Sequence, residues 1–252
     1  MDSRKDLSHI IIFVGPSGSG KSTLIENMMR IWPDCFAFNV SHTTRRPRKG
    51  EIDGKHYHFV SKRKFVEMLR EGMFVEYNRS FAETRENVGW CQKSCTNGDG
   101  VDNDDDNTVY YGTSKMSLNE IFSKNKIVVM DTDIKGAVNM QKYCDQVNNG
   151  SEMGSLGTAG PCGKVTQRYL RLHIIFVKCP TAQMVEERLR SRGTETTTSL
   201  QRRLLFNRQC IEWYNANHGF FSITLLNDNL QSCMADLTTY VQREVLSTPS
   251  KM

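Results

Sequence analysis

The sequence predicts an α/β fold, a mostly parallel sheet covered by helices on both faces. Three observations lead there. Short apolar runs alternate with stretches of helical periodicity along most of the chain, the pattern of parallel strands joined by crossover helices. The runs Ile127–Met130 and Leu172–Val177 are apolar throughout, as strands buried on both faces are. Ile10–Val14 leads through Gly15-Pro16-Ser17-Gly18-Ser19-Gly20-Lys21-Ser22 into a helical stripe, the strand-loop-helix setting of a phosphate-binding loop.

That loop reads G-x-x-x-x-G-K-S. Its glycines let the backbone turn tightly, so N–H groups point inward at a phosphate. The helix N-terminus adds partial positive charge. Lys21 is expected to reach the β- and γ-phosphates and Ser22 to sit on Mg²⁺.

The elements follow in order. Leu24, Ile25, Met28, Met29 and Trp32 form one helical stripe, stopped at Pro33-Asp34. Phe36–Val40 reads as a strand. A polar, basic segment, Ser41–Arg48, comes next, then turns through Gly54. Tyr57–Val60 and Phe74–Tyr77 read as short strands around a helix carrying Phe65, Met68 and Leu69, which Gly72 ends. Between Glu83 and Thr108, Gly, Asn, Asp and Thr dominate; such a composition cannot bury a core and is expected to form a disordered insertion. Its run Asp102–Asn107 lacks the central Gly and closing Glu of a Ca²⁺ loop. Order is expected again at Val109–Thr113, with Ser114 capping a helix. A helix from about Ile134 to Tyr143 follows the strand that ends in Asp131, and Asn148–Gly163 reads as a second insertion. Glu186–Arg192 reads as the end of a helix, further helices are expected over Ser199–Asn217 and Leu230–Leu246, and a last strand at Ile223–Leu226. The short strands between residues 41 and 113 break the alternating rhythm and suggest a small inserted subdomain.

The bulk properties bound the class. The chain has 252 residues, 38% hydrophobic and 24% charged, with a net charge of +5, which suits a globular protein with an anionic ligand. The basic residues form no long run, so nucleic acid is not an expected partner. The first apolar stretch is too short to span a bilayer, so no membrane is expected either. Cys35, Cys91, Cys95, Cys144, Cys162, Cys179, Cys210 and Cys233 are scattered, which suits reduced thiols and a cytoplasmic location. A metal site from Cys91, Cys95, Cys144 and Cys162 would not follow a recognised zinc spacing.

These residues resemble the guanylate kinase family over nearly the whole chain outside the two insertions. The elements stand in the family's order: G-P-S-G-S-G-K-S-T at 15–23, V-S-H-T-T-R-R-P-R at 40–48, G-x-x-Y at 54–57, F-V-E-Y at 74–77, Y-G-T-S at 111–114, D-T-D-I-K-G at 131–136, R-x-x-x-R-G-T-E at 188–195, and N-D at 227–228. The resemblance implies transfer of the γ-phosphate of ATP to GMP (or dGMP), with Mg²⁺. It implies a phosphate-loop core at 8–40 and 114–252, a GMP-binding subdomain at 41–113 and a lid at 188–203. By the same resemblance Gly15, Ser17, Gly18, Ser19, Gly20, Lys21, Ser22 and Thr23 hold ATP, with Asn227 and Asp228 on its far side. Ser41, Arg45, Arg48, Tyr57 and Tyr111 match GMP-binding positions, and two guanidinium forks with two phenols suit a phosphate dianion. Glu76 matches the residue that reads guanine, with Thr113 and Ser41 able to donate to O6. Asp131 matches an acidic position near GMP and the metal, the latter through water. Arg188, Arg192 and Arg203 match arginines that close over the triphosphate. A monomer is expected.

Two departures stand out. Lys135 occupies a position where the family usually has Gln, and the first insertion separates Glu76 from Tyr111. Two other readings fit parts of the pattern. Scaffold domains of this shape bind phosphorylated peptides, but with a degraded phosphate loop, whereas Gly15–Ser22 is intact. A related kinase would use another acceptor, such as dGMP or AMP.

Overall fold

The computed structural model describes residues 6–48, 50–81, 108–150, 168–191 and 197–247. By contacts the chain divides into two compact units, Met1–Asn39 with Leu118–Met252, and Val40–Ser117.

The larger unit is built on a five-stranded sheet of β1 (Asp6–Val14), β2 (Phe36–Phe38), β7 (Ile127–Asp131), β8 (Arg168–Lys178) and β9 (Ile223–Leu226). Its order is β2-β7-β1-β8-β9, with every pair parallel. Ile10, Ile11, Ile12, Phe13 and Val14 are all inaccessible to solvent, which is why the run is apolar without alternation. Alternate side chains still face opposite ways. Ile11 and Phe13 pack with Leu24, Ile25 and Met28 of α1 (Lys21–Ile31) and with Cys233, Leu237 and Val241 of α7 (Leu230–Val241). The opposite face meets α4 (Ile134–Asn148). Helices α5 (Ala182–Ser191) and α6 (Thr197–Ala216) follow β8 and pack through Val185, Leu189 and Leu200.

The smaller unit carries a four-stranded sheet ordered β4-β3-β6-β5. Its strands are β3 (His42–Thr43), β4 (His58–Phe59), β5 (Phe74–Phe81) and β6 (Thr108–Ser114). Helix α2 (Lys62–Arg70) covers it with Phe65 and Met68 and is capped by the Ser61 hydroxyl. Phe65 stacks on Phe74 with ring centroids 4.3 Å apart. Helix α3 (Lys115–Ser123) leads back to the larger unit.

Several predicted bounds change. Thr108, assigned to the first insertion, is buried in β6, because β5 runs on to Phe81 and pairs with it. Asn148, assigned to the second insertion, is the last residue of α4. Its side chain donates to the Leu170 carbonyl at 2.9 Å and accepts the Leu170 N–H at 2.8 Å. β8 starts at Arg168 rather than Leu172, because residues from Arg168 onward pair in register with Asp6 onward. The predicted last helix ends as α-helix at Val241 and closes in a π turn, Gln242–Leu246. Of the two insertions, residues 83–107 and 151–163 lie outside the described residues, as do Arg192, Cys91, Cys95 and Cys162.

Candidate active site

In the larger unit, the phosphate loop leaves the C-terminal end of β1, the strand that has β7 on one side and β8 on the other. Ligands of open parallel sheets bind at such a switch point. Gly15 and Gly20 have φ of +144° and +94°. A Cβ on Gly15 would overlap the Val177 carbonyl oxygen, and one on Gly20 would overlap the Asn227 amide. Only glycine fits both the conformation and the space.

The loop is held from outside by two asparagines. Asn207 of α6 accepts the Ser17 N–H at 2.7 Å and donates to the Ser17 carbonyl at 3.0 Å. Asn227, just after β9, donates from its side chain to the Ser19 carbonyl at 2.7 Å, and its own N–H donates to the Lys178 carbonyl at 2.7 Å. Asn227, expected on the ATP side, thus supports the loop from below and is buried; Asp228 beside it is exposed. Ser19 is fully buried and its N–H donates to Pro16, so it shapes the loop. Ser22 and Thr23 open α1 and are exposed. Asn207 carried no local signal in the sequence.

Lys21 folds back over the loop. Its Nζ donates to the Gly15 carbonyl at 2.8 Å and the Pro16 carbonyl at 3.2 Å, and stands 3.9 Å from Asp131 Oδ1. Asp131 ends β7 with its side chain 31% exposed. Crowding by protein raises its pKa, and the Lys21 charge opposes that rise. Arg188 of α5 donates to the Asn227 carbonyl at 3.3 Å and to Cys179 Sγ at 3.1 Å. Arg203 lies one turn before Asn207 on α6, on the same helix face. The structure therefore brings the loop, Lys21, Asp131, Arg188 and the Asn207 face of α6 into one neighbourhood.

In the smaller unit the residues fall into two groups. Arg45, Tyr57 and Tyr111 make one. The Arg45 guanidinium lies 5.4 Å from the Tyr57 ring centroid, and the Tyr57 and Tyr111 rings meet edge to face at 5.9 Å. Glu51, not singled out in the sequence, grips both terminal nitrogens of Arg45 at 2.9 Å and accepts the Arg48 N–H at 2.7 Å. That pairing with Arg45 holds its carboxyl below the usual range. Ser41 accepts the His58 N–H through its carbonyl, and Arg48 is exposed.

Glu76 and Thr113 make the other group. A bulge in β5 between Phe74 and Glu76 sets Glu76 opposite Thr113 of β6. Both are buried, and the Thr113 hydroxyl donates to Glu76 Oε1 at 2.7 Å. The hydroxyl expected to face a base is directed at the carboxylate instead. Next to them His42 is buried, its ring 4.7 Å from that of His58, with no hydrogen-bond partner for Nδ1 among the described residues. Burial, with His58 adding to it, lowers its pKa to about 4.

A family model for guanylate kinase matches residues 7–97 and 162–244. The chain belongs to the guanylate kinase family. Human guanylate kinase is 31% identical over 235 residues, covering 93% of this chain and 93% of the human protein. Guanylate kinase 1 of rice (Oryza sativa subsp. japonica) is 34% identical over 227 residues, 90% of this chain, and the chain spans 46% of that protein's length. The crystal structure of guanylate kinase from Anaplasma phagocytophilum superposes with a TM-score of 0.55 at 18% identity, covering 97% of this chain and 89% of that one. That likeness concerns the fold. Among the described residues no helix is long and apolar enough to cross a membrane, and no three His, Cys, Asp or Glu side chains cluster to hold a metal. Cys144, the described member of the four-cysteine set, is a buried thiol whose pKa burial pushes up to about 12.

Proposed function

We propose that the chain transfers the γ-phosphate of ATP to GMP, giving ADP and GDP. The observation that carries this reading is the intact phosphate loop. Its positive-φ glycines are packed against Val177 and Asn227, and Lys21 stands at its mouth beside Asp131. A scaffold module has no use for that lysine.

ATP is held by the loop, residues 15–23, with Asn207 and Asn227 fixing its backbone. Lys21 releases the Gly15 and Pro16 carbonyls and turns to the transferring phosphates. Arg188, Arg192 and Arg203, in and around a lid at 188–203, neutralise charge on the triphosphate. Arg45, Arg48, Tyr57 and Tyr111 take the GMP phosphate, with Ser41 near the base. Glu76 accepts from guanine N1–H and its 2-amino group; adenine presents a lone pair at N1, which the same carboxylate repels. Thr113 holds Glu76 in place for this. Asp131 orients the acceptor.

The donors also suit Mg²⁺. The Ser22 hydroxyl and the Asp131 carboxylate are hard oxygens open to solvent, and Mg²⁺ keeps few protein ligands beside phosphate and water. Bound there, the ion would neutralise charge on the phosphates. No general base is required, because the acceptor is already an anionic phosphate oxygen. Positioning and charge neutralisation do the work.

The test is a mixture of chain, ATP, Mg²⁺ and GMP followed by chromatography. ADP and GDP should appear in equal amounts. ADP without GDP, or no turnover, contradicts the proposal.

A further inference from the structure

Cys179 lies just past β8 and belongs to none of the motifs read from the sequence. Its Sγ accepts Arg188 Nη1 at 3.1 Å and lies 4.0 Å from the Ser19 carbonyl. The other end of the same guanidinium donates to the Asn227 carbonyl at 3.3 Å. Asn227 in turn holds the Ser19 carbonyl. Arg188, Cys179, Ser19 and Asn227 thus close a ring of contacts that joins α5 to the phosphate loop. Cys179 is 9% exposed and packs in one cluster with Val185 and Leu189.

We infer that Cys179 is a positioning residue for Arg188: it holds the guanidinium beside the phosphate loop without neutralising its charge. Arg188 has to reach an anionic triphosphate as a full cation. A carboxylate at position 179 would hold it harder, by a charge-assisted fork, and cancel that charge. A thiol is a weak, neutral acceptor, so it orients the guanidinium and leaves its positive charge for the triphosphate. Burial keeps the thiol protonated against the opposing pull of Arg188. The carbonyl of Asn227, also uncharged, does the same at the other end. Ordering Arg188 before binding reduces the entropy lost when ATP is captured.

This rests on the proposed ATP site. The test separates the two by measuring binding of a non-hydrolysable ATP analogue with Mg²⁺ calorimetrically, with no acceptor present. If the unaltered chain does not bind the analogue, the site itself is wrong. If it binds, Cys179→Ala should weaken the analogue about fivefold, the order of one hydrogen bond. Cys179→Ser, which restores an acceptor, should recover most of that loss. GMP affinity and the melting temperature of Cys179→Ala should move little. Two results would overturn the inference. One is analogue affinity unchanged in Cys179→Ala while Arg188→Ala weakens it. The other is equal loss in the Ala and Ser variants together with a lowered melting temperature, which would make the thiol a packing group only.

Discussion

The Thr113 hydroxyl donates to the Glu76 carboxylate at 2.7 Å across β5 and β6, with both side chains buried. A buried carboxylate kept in one rotamer by a neighbouring donor is prepared to meet a base edge. Thr113→Val keeps the shape and removes the donor. KM for GMP should rise about tenfold, since hydrogen bonds to charged groups are worth ~1.5–3 kcal/mol. KM for ATP should stay as it was. Steady-state kinetics with each substrate varied in turn checks this, and a matching rise for both substrates would point to general unfolding of the smaller unit.

Lys21 should be needed for chemistry and not for acceptor binding. Lys21→Ala is expected to lower kcat by ~10²–10³, the scale of one lost charge-stabilising donor. Calorimetric GMP affinity should stay within about threefold. Near-normal turnover would remove Lys21 from the mechanism.

Asn207 is the clearest test of how the loop is supported. Asn207→Ala leaves the Ser17 N–H and carbonyl without their partner, which should cost ~1–3 kcal/mol of stability. It should also raise KM for ATP more than KM for GMP. Urea unfolding with parallel kinetics reads both. A change in stability with no change for ATP would make Asn207 a fold residue alone.

Three buried histidines set an acid limit. His9 Nδ1 and His173 Nε2 are 2.9 Å apart, and His173 Nδ1 is 2.8 Å from the Tyr240 hydroxyl. Burial lowers the pKa of His9, His42 and His173 from 6.5 to about 4. Arg171 adds to the lowering at His9 and His173, while Glu244 opposes it at His173. The unfolded chain therefore binds more protons than the folded one between those values. Stability from the neutral histidines is complete above pH 6.5 and is lost as pH falls toward 4. Urea unfolding at a series of pH values should show that decline, and a flat profile through the window would contradict it.

The sequence made the strands of the larger unit legible because burial on both faces leaves an unbroken apolar run, as in Ile10–Val14. The phosphate loop was legible because its glycines are forced by contacts with Val177 and Asn227. Element ends were less so. Arg168–Arg171 has no apolar pattern, and it joins β8 only through register with β1. Thr108 looked like part of a polar insertion, and it is buried by pairing with Phe81. Asn207, Cys179 and Glu51 stand in no sequence motif, because each acts through hydrogen bonds to the loop or to an arginine that leave no periodic pattern. Asn207 meets Ser17 across 190 positions, and no local periodicity records that.

The proposed reading of this chain as a kinase for guanine nucleotides turns on the buried Glu76. Its most direct test is kcat/KM for GMP against AMP, CMP and UMP in a coupled assay, repeated with Glu76→Gln. A site built on base-edge hydrogen bonds discriminates by ~10⁴ or more. The unaltered chain should favour GMP over AMP on that scale, and Glu76→Gln should lower kcat/KM for GMP and narrow the gap. Comparable use of AMP and GMP, or unchanged GMP kinetics in Glu76→Gln, would contradict the reading of guanine by Glu76.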